Sequence, residues 1–573
     1  MKARVKAPIL FVLILVLGMS LSQCTPGTTP PPSPGFSVTC ETTAEYQSLV
    51  AGLTTNPYYI EEQVILTGET KLVAELATDL GLAPIAGCQV GPLDQLPAAQ
   101  LQEEAVIPDK DEPEAPAKLL SFYNPQDGNF AVGDNELALN LYKIIDSRSV
   151  EDVIKSVSEV QGDTPRENQV YADPNYLVGH LANSPCGNPF GVEGSPFGVE
   201  GSPFGVEGSP GGGQSAGADP QSFWAQWAFD RIGLSQPAGD ATQYAGYGVP
   251  VAVFDTSPYS QPEGDSAQEE PILVVTPALT LTVHHPFTLL PLTSTAATPV
   301  NVSDHGLFVA GLVHAVAPGS QIHLYRVLDD SGCGDLFHLS AAVLQFVAQI
   351  GGSGSEPVKS VINLSLGVRR PRVVPDAIKS PSEYHDFLEL ESGIEALEFA
   401  LGVARRSGAV IVAAAGNDSV RADNPGDPQV ILGMQLPAAY PYVIGVAASD
   451  PDNLPACYTN RGDVIAPGGG AEYATPAPPD PAEAYAFCKA LADSCSFNEP
   501  DCPHGVISLT NHAGAGLGYS HWVGTSFATP LTSGLAALHY QNVGQGAVFG
   551  RIQADLQLVP NPGLFGRGLI QVP

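Results

Sequence analysis

Five short runs rich in β-branched and other apolar residues punctuate the chain after Phe223: Val249–Phe254, Ile322–Val327, Val358–Leu364, Ala409–Ala415 and Tyr442–Ala447. They are nearly continuous rather than alternating, which reads as strands covered on both faces. Residues 335–350 and 392–406 instead place apolar side chains at helical spacing. Strands interleaved with helices predict an α/β domain with a doubly wound, mostly parallel sheet. A site in such a domain lies beyond the carboxyl ends of the strands.

Upstream the pattern differs. Leu137, Leu139 and Leu141 alternate as in a half-buried strand, Val150–Val160 has helical spacing, and Gln169–Ala172 forms a second strand before Asp173-Pro174-Asn175-Tyr176. Residues 129–180 are therefore expected to be a small α+β unit. Residues 24–128 begin with a Pro-, Thr- and Ser-rich tether and continue as an accessory region containing an acidic stretch, Val106–Pro116. After the α+β unit, Asn-Pro-Phe-Gly-Val-Glu-Gly at 188–194 is followed twice by Ser-Pro-Phe-Gly-Val-Glu-Gly, at 195–201 and 202–208. So much Pro and Gly cannot support a packed core, which makes 181–220 a linker and 221–573 the α/β domain.

Composition narrows the partners. Of 573 residues, 44% are apolar and 15% charged, enough for a large core. A formal charge of −36 opposes phosphate backbones and anionic lipid, which argues against nucleic acid. Lys2, Arg4 and Lys6 followed by the apolar run Ile9–Leu17 read as an export signal over residues 1–23. Leu21-Ser22-Gln23-Cys24 resembles a bacterial lipobox, with Gln23 departing from its pattern. The expected address is extracytoplasmic, with Cys24 as the lipidation site and the only tie to a membrane. Nine cysteines less Cys24 leave eight, an even number suited to disulfides in an oxidising compartment. Cys488, Cys495 and Cys502 lie close together, and loop disulfides explain them better than a metal cluster.

Four polar residues stand where predicted strands end or helices begin. Asp255 closes Val249–Phe254; His305 follows Asp304 and precedes Gly306; Asn417 follows Ala413-Ala414-Ala415-Gly416; Ser526 lies in Gly524-Thr-Ser-Phe-Ala-Thr-Pro530. Singly each has a bland reading as a cap or turn residue. Together, in the order Asp, His, Ser, they supply acyl transfer: a nucleophile, a base, a carboxylate to orient the base, and an amide donor for the oxyanion. α/β-Hydrolases run Ser, acid, His and set the serine in Gly-x-Ser-x-Gly, which Ser526 lacks.

The blocks VAVFDTS, HGLFVAG, VAPGSQIHLYRVL, VINLSLG, IVAAAGND, LPAAYPYVIGVAA, DVIAPGG and GTSFATP resemble those of the subtilase family, in family order, over about 223–572. The resemblance implies a subtilisin-like serine endopeptidase with Asp255, His305 and Ser526 as triad and Asn417 as oxyanion donor. It implies that Ser365-Leu366-Gly367 forms an edge beside bound peptide and that Ala414-Ala415-Gly416 lines the pocket before the scissile bond. YADPNY and WAQWAFDRIGL resemble the end of the family's propeptide and the start of its mature domain, so 129–180 becomes an intramolecular inhibitor. The expected partners are protein or peptide substrates and this propeptide. No cofactor enters the chemistry; structural calcium is allowed but has no placeable site, since the chain lacks the usual calcium loop between Val313 and Ala317. Leu307 and Phe308 depart from the common His-Gly-Thr-His, which bears on rate or cleft shape. Added stretches at 258–302, 369–391 and 470–518 are expected at the cleft rim or as surface decoration. The rival reading is a catalytically silent subtilase-like binding or scaffold protein.

Overall fold

The structure is a computed structural model and describes residues 37–43, 58–91, 123–124, 129–130, 136–162, 169–179, 220–234, 245–259, 272–275, 279–287, 289, 302–350, 358–368, 394–417, 433–456, 458–470, 504–512, 516–557 and 566–572. The signal and lipobox, the repeats at 188–208, the stretch 369–391 and Cys488, Cys495 and Cys502 lie outside them.

The N-terminal unit runs β1 (Val38–Thr42), β2 (Tyr59–Glu69), α1 (Thr70–Asp79), β3 (Leu82–Val90), the short pair β4 (Tyr123–Asn124) and β5 (Asn129–Phe130), β6 (Leu137–Ile144), α2 (Val150–Gln161) and β7 (Tyr171–Gly179). β6 lies between β3 and β2, and β2 also pairs with β7, all antiparallel. β1 adds to β3, where Cys40 and Cys88 face each other and are joined by a disulfide. Ser149 and Asp152 start α2 with a capping box, the Ser149 side chain accepting from the Asp152 amide and the Asp152 carboxylate from the Ser149 amide.

The sheet corrects the division of the chain at 128. β2 and β3, from the expected accessory region, sandwich β6 and share its core, Val64 and Leu66 packing with Ala138, Tyr142 and Val153. Strands far apart in sequence complete each other here, and only one of the three carried a legible alternation. β7 is also longer than the four residues expected.

The α/β domain continues with α3 (Pro220–Trp224), α4 (Trp227–Arg231), β8 (Val251–Asp255), β9 (Ile272–Val275), β10 (Thr280–His284), α5 (His305–Val316), β11 (Ile322–Arg326), β12 (Cys333–Asp335), α6 (Leu336–Ile350), β13 (Ser360–Leu364) and β14 (Gly367–Val368). Then follow α7 (Glu395–Arg406), β15 (Ala409–Ala414), β16 (Val443–Ser449), β17 (Val464–Pro467), the hairpin β18 (Val506–His512) and β19 (Gly516–Trp522), α8 (Thr525–Asn542) and α9 (Gln545–Ala554). The main sheet has the order β17-β16-β15-β13-β8-β11-β10-β9 and is parallel except for β9 against β10. Alternate residues of β8 enter opposite cores: Val251 and Val253 pack with α5 and α8, and Ala252 and Phe254 with α6 and α7. Burial on both faces is why the strands read as continuous apolar runs. The described part of 258–302 includes β9 and β10, which extend this sheet at its edge. Among the described residues no helix is long and apolar enough to cross a membrane.

Candidate active site

Asp255 is the last residue of the fully buried β8, and His305 the first of α5. The imidazole Nδ1 lies 2.8 and 2.9 Å from the two carboxylate oxygens, and both side chains are inaccessible to solvent. The Thr256 amide donates to the same carboxylate at 2.7 Å. Its hydroxyl donates to the carbonyl of Ser303 and accepts from the Gly306 amide, tying the end of β8 to the start of α5. A Cβ at 306 would lie 2.2 Å from the Thr256 carbonyl oxygen, so this approach requires glycine.

Ser526 is the second residue of α8 and is 1% exposed. Its hydroxyl donates to the Ser365 carbonyl at 3.3 Å, while the Ser365 hydroxyl donates to the Ser526 carbonyl at 2.8 Å. Pro530 explains the second bond. It is the sixth residue of α8, deeper than the first turn, and has no N–H to offer the carbonyl four residues earlier. Ser365 supplies that donor. Asn363 donates to the Ser365 hydroxyl and accepts from Ser533, so two points of α8 are pinned to the end of β13.

Asn417 follows β15. Its side-chain oxygen accepts from the Thr525 amide at 2.9 Å and the Thr525 hydroxyl at 2.8 Å, which fixes the orientation of the carboxamide. Its Nδ2 is 3.7 Å from where a Cβ on Gly524 would stand. Ala414 and Ala415 are fully buried, and Gly416 takes φ +113 where a Cβ would strike the Asn460 amide.

The structure thus brings Asp255 and His305 into contact, Asn417 against Thr525, and Ser365 against Ser526, at the carboxyl end of the sheet. Sequence reading missed two parts. Thr256 gave no signal beyond its place after Asp255. Trp522 stacks on His305 with ring centroids 5.8 Å apart and on Phe308 at 4.8 Å. Phe527 also packs on His305, at 5.1 Å. Phe308, the departure from the common motif, is therefore part of a buried aromatic wall beside the imidazole.

β7 runs from the N-terminal unit to the Ser365-Leu366-Gly367 edge, where it lies antiparallel between β12 and β14. Asp173 accepts from the Glu395 and Ala396 amides at the start of α7, and Asn175 from the Phe337 amide in α6. Burial above all, and next the charge of Glu395, push the Asp173 carboxyl well above the usual carboxylate range. Glu398 is raised too, by burial first and then by Glu395 and Asp173.

Residues 292–548 match the model of the subtilase family. Asp255 stands upstream of that span. The chain is 25% identical over 280 residues to the thermostable alkaline protease of Halalkalibacterium halodurans, covering 47% of this chain and 56% of that protein. It is 31% identical over 183 residues to the thermophilic serine proteinase of Bacillus sp. strain AK1, covering 30% and 35%. It spans about half or less of the length of these relatives. Among solved structures, fervidolysin from Fervidobacterium pennivorans, described as a keratinolytic enzyme related to subtilisin, aligns with 16% identity and a TM-score of 0.45, covering 91% of this chain and 61% of that one.

Proposed function

We propose that the chain is an extracytoplasmic serine endopeptidase made as a self-inhibited precursor. The observation that carries the reading is the buried His305 imidazole held at Nδ1 by both oxygens of Asp255. That contact leaves Nε2 as the nitrogen that takes a proton. Ser526 Oγ attacks the peptide carbonyl while His305 accepts its proton, and Asp255 stabilises the resulting imidazolium. Asn417, its oxygen engaged by Thr525, offers its NH₂ to the oxyanion. Collapse breaks the C–N bond, and His305 returns the proton to the leaving amine. Water then hydrolyses the acyl-enzyme by the reverse sequence. This chemistry needs no cofactor.

The N-terminal unit acts in this reading as the inhibitor, since β7 occupies the peptide edge; its extent is residues 38–179. The linker beyond it is where the chain is cut. Export of the chain and lipidation of Cys24 rest on the sequence motif, and the Cys40–Cys88 disulfide suits an oxidising compartment. Wild type and Ser526→Ala, expressed side by side and N-terminally sequenced, test both parts. Wild type should hydrolyse casein and begin anew between Leu177 and Phe223. The folded mutant should do neither. Equal casein hydrolysis by the two defeats the catalytic assignment, and identical cutting defeats self-processing.

A further inference from the structure

β7 shows how an extended peptide lies in the groove. Gly179 stands opposite both Cys333 and Gly367, and Val178 opposite both Gly334 and Val368. One wall of this groove is unusually close. Gly332, at φ +78, turns its carbonyl toward Gly179, and a Cβ at 179 would lie 2.5 Å from that backbone oxygen. The wall is braced. The Asp329 carboxylate accepts from the Ser331 amide and hydroxyl and from the Cys333 amide, while the backbones of Asp329 and Cys333, and of Gly332 and Asp329, are hydrogen-bonded. Val178, by contrast, is fully buried in the core cluster that holds Phe337, Leu366 and Val368.

The register gives the place of this pair relative to the reacting bond. Antiparallel to β14, a peptide residue two beyond the Gly179 position faces Ser365, the residue whose carbonyl receives the Ser526 hydroxyl. We propose that the peptide residue facing Ser365 is the one before the cleaved bond, and that the groove between β12 and β14 selects glycine at the third position before that bond. The substrate class is therefore peptides with glycine at that position, a selection that rests on the peptidase reading for its scissile bond but on packing for its glycine.

Two measurements test it on the full chain. Self-processed wild type is given internally quenched peptide libraries with valine at the fourth position, either glycine or alanine at the third, and random residues elsewhere. Because overpacking against fixed backbone costs a factor of about five or more, kcat/KM should favour glycine by at least about fivefold. Equal turnover overturns the proposal. Hydrogen exchange on Ser526→Ala chains reads the same subsite without catalysis. Adding Gly179→Ala should speed exchange at residues 177–179 by at least about fivefold, while Gly550→Ala, which has open space around it, should not. Unchanged exchange with Gly179→Ala also overturns the proposal. If wild type cleaves no peptide of either library, the peptidase reading fails, and the exchange result alone decides the subsite.

Discussion

At the scale of single residues, the site depends on neighbours whose own hydrogen bonds leave them one orientation. Ser365 is the clearest. Its hydroxyl replaces the donor that Pro530 lacks, so Ser365→Ala leaves the buried Ser526 carbonyl short of a partner. The loss should cost about 1–3 kcal/mol of stability and lower kcat, measured by chemical denaturation and peptide-ester turnover. Asn417→Ala should lower kcat by about 10²–10³-fold with little change in KM, the magnitude established for one oxyanion donor in a subtilisin. Unchanged kcat in a folded Asn417→Ala protein would remove Asn417 from the chemistry. Asp255, His305, Asn417 and Ser526 stood out in the sequence because each sits at a strand end or helix start. Thr256 and Trp522 were not, because a hydroxyl bridging two backbones and a ring stacked across a hairpin leave no periodic trace.

At the scale of elements, β7 joins the two halves of the molecule, and its charges give the joint a pH dependence. Docking takes Asp173 out of water beside Glu395 and raises its pKa, so the docked form holds a proton that the undocked form releases. The joint is accordingly tightest in acid. It weakens as pH rises from about 4, the ordinary carboxylate value, through the raised value. In a Ser526→Ala background, susceptibility of β7 to an added protease should increase with pH, and Asp173→Asn should flatten most of that slope. A slope of opposite sign, or one untouched by Asp173→Asn, contradicts the assignment. The sequence disclosed the main strands almost residue for residue, since β8, β13, β15 and β16 are buried on both faces and the strands carry nearly continuous apolar runs. It disclosed β7 poorly. Pro174 and the polar Asp173 and Asn175 look like a turn, yet they are strand residues whose side chains cap helices of the neighbouring domain.

At the scale of the whole molecule, a six-strand path, β1-β3-β6-β2-β7-β12, crosses from the N-terminal unit into the α/β domain. The boundary at 128 was misplaced because β2 and β3 have no partner of their own nearby in sequence; their partner β6 arrives after a long intervening stretch. The Cys40–Cys88 disulfide closes the outer edge of that path over 48 residues. Cys88→Ser should destabilise the N-terminal unit by about 2–4 kcal/mol, seen as a lower denaturation midpoint for its hydrogen exchange.

The central claim, that this assembly is a serine hydrolase driven by Asp255, His305 and Ser526, is tested most directly by a serine-directed fluorophosphonate. Full chain is treated under conditions that detach the N-terminal unit, labelled, and peptide-mapped. Wild type should carry the adduct on Ser526, Ser526→Ala none, and His305→Ala should label far more slowly. A folded wild type that stays unlabelled, or a His305→Ala protein labelled as fast as wild type, would contradict it.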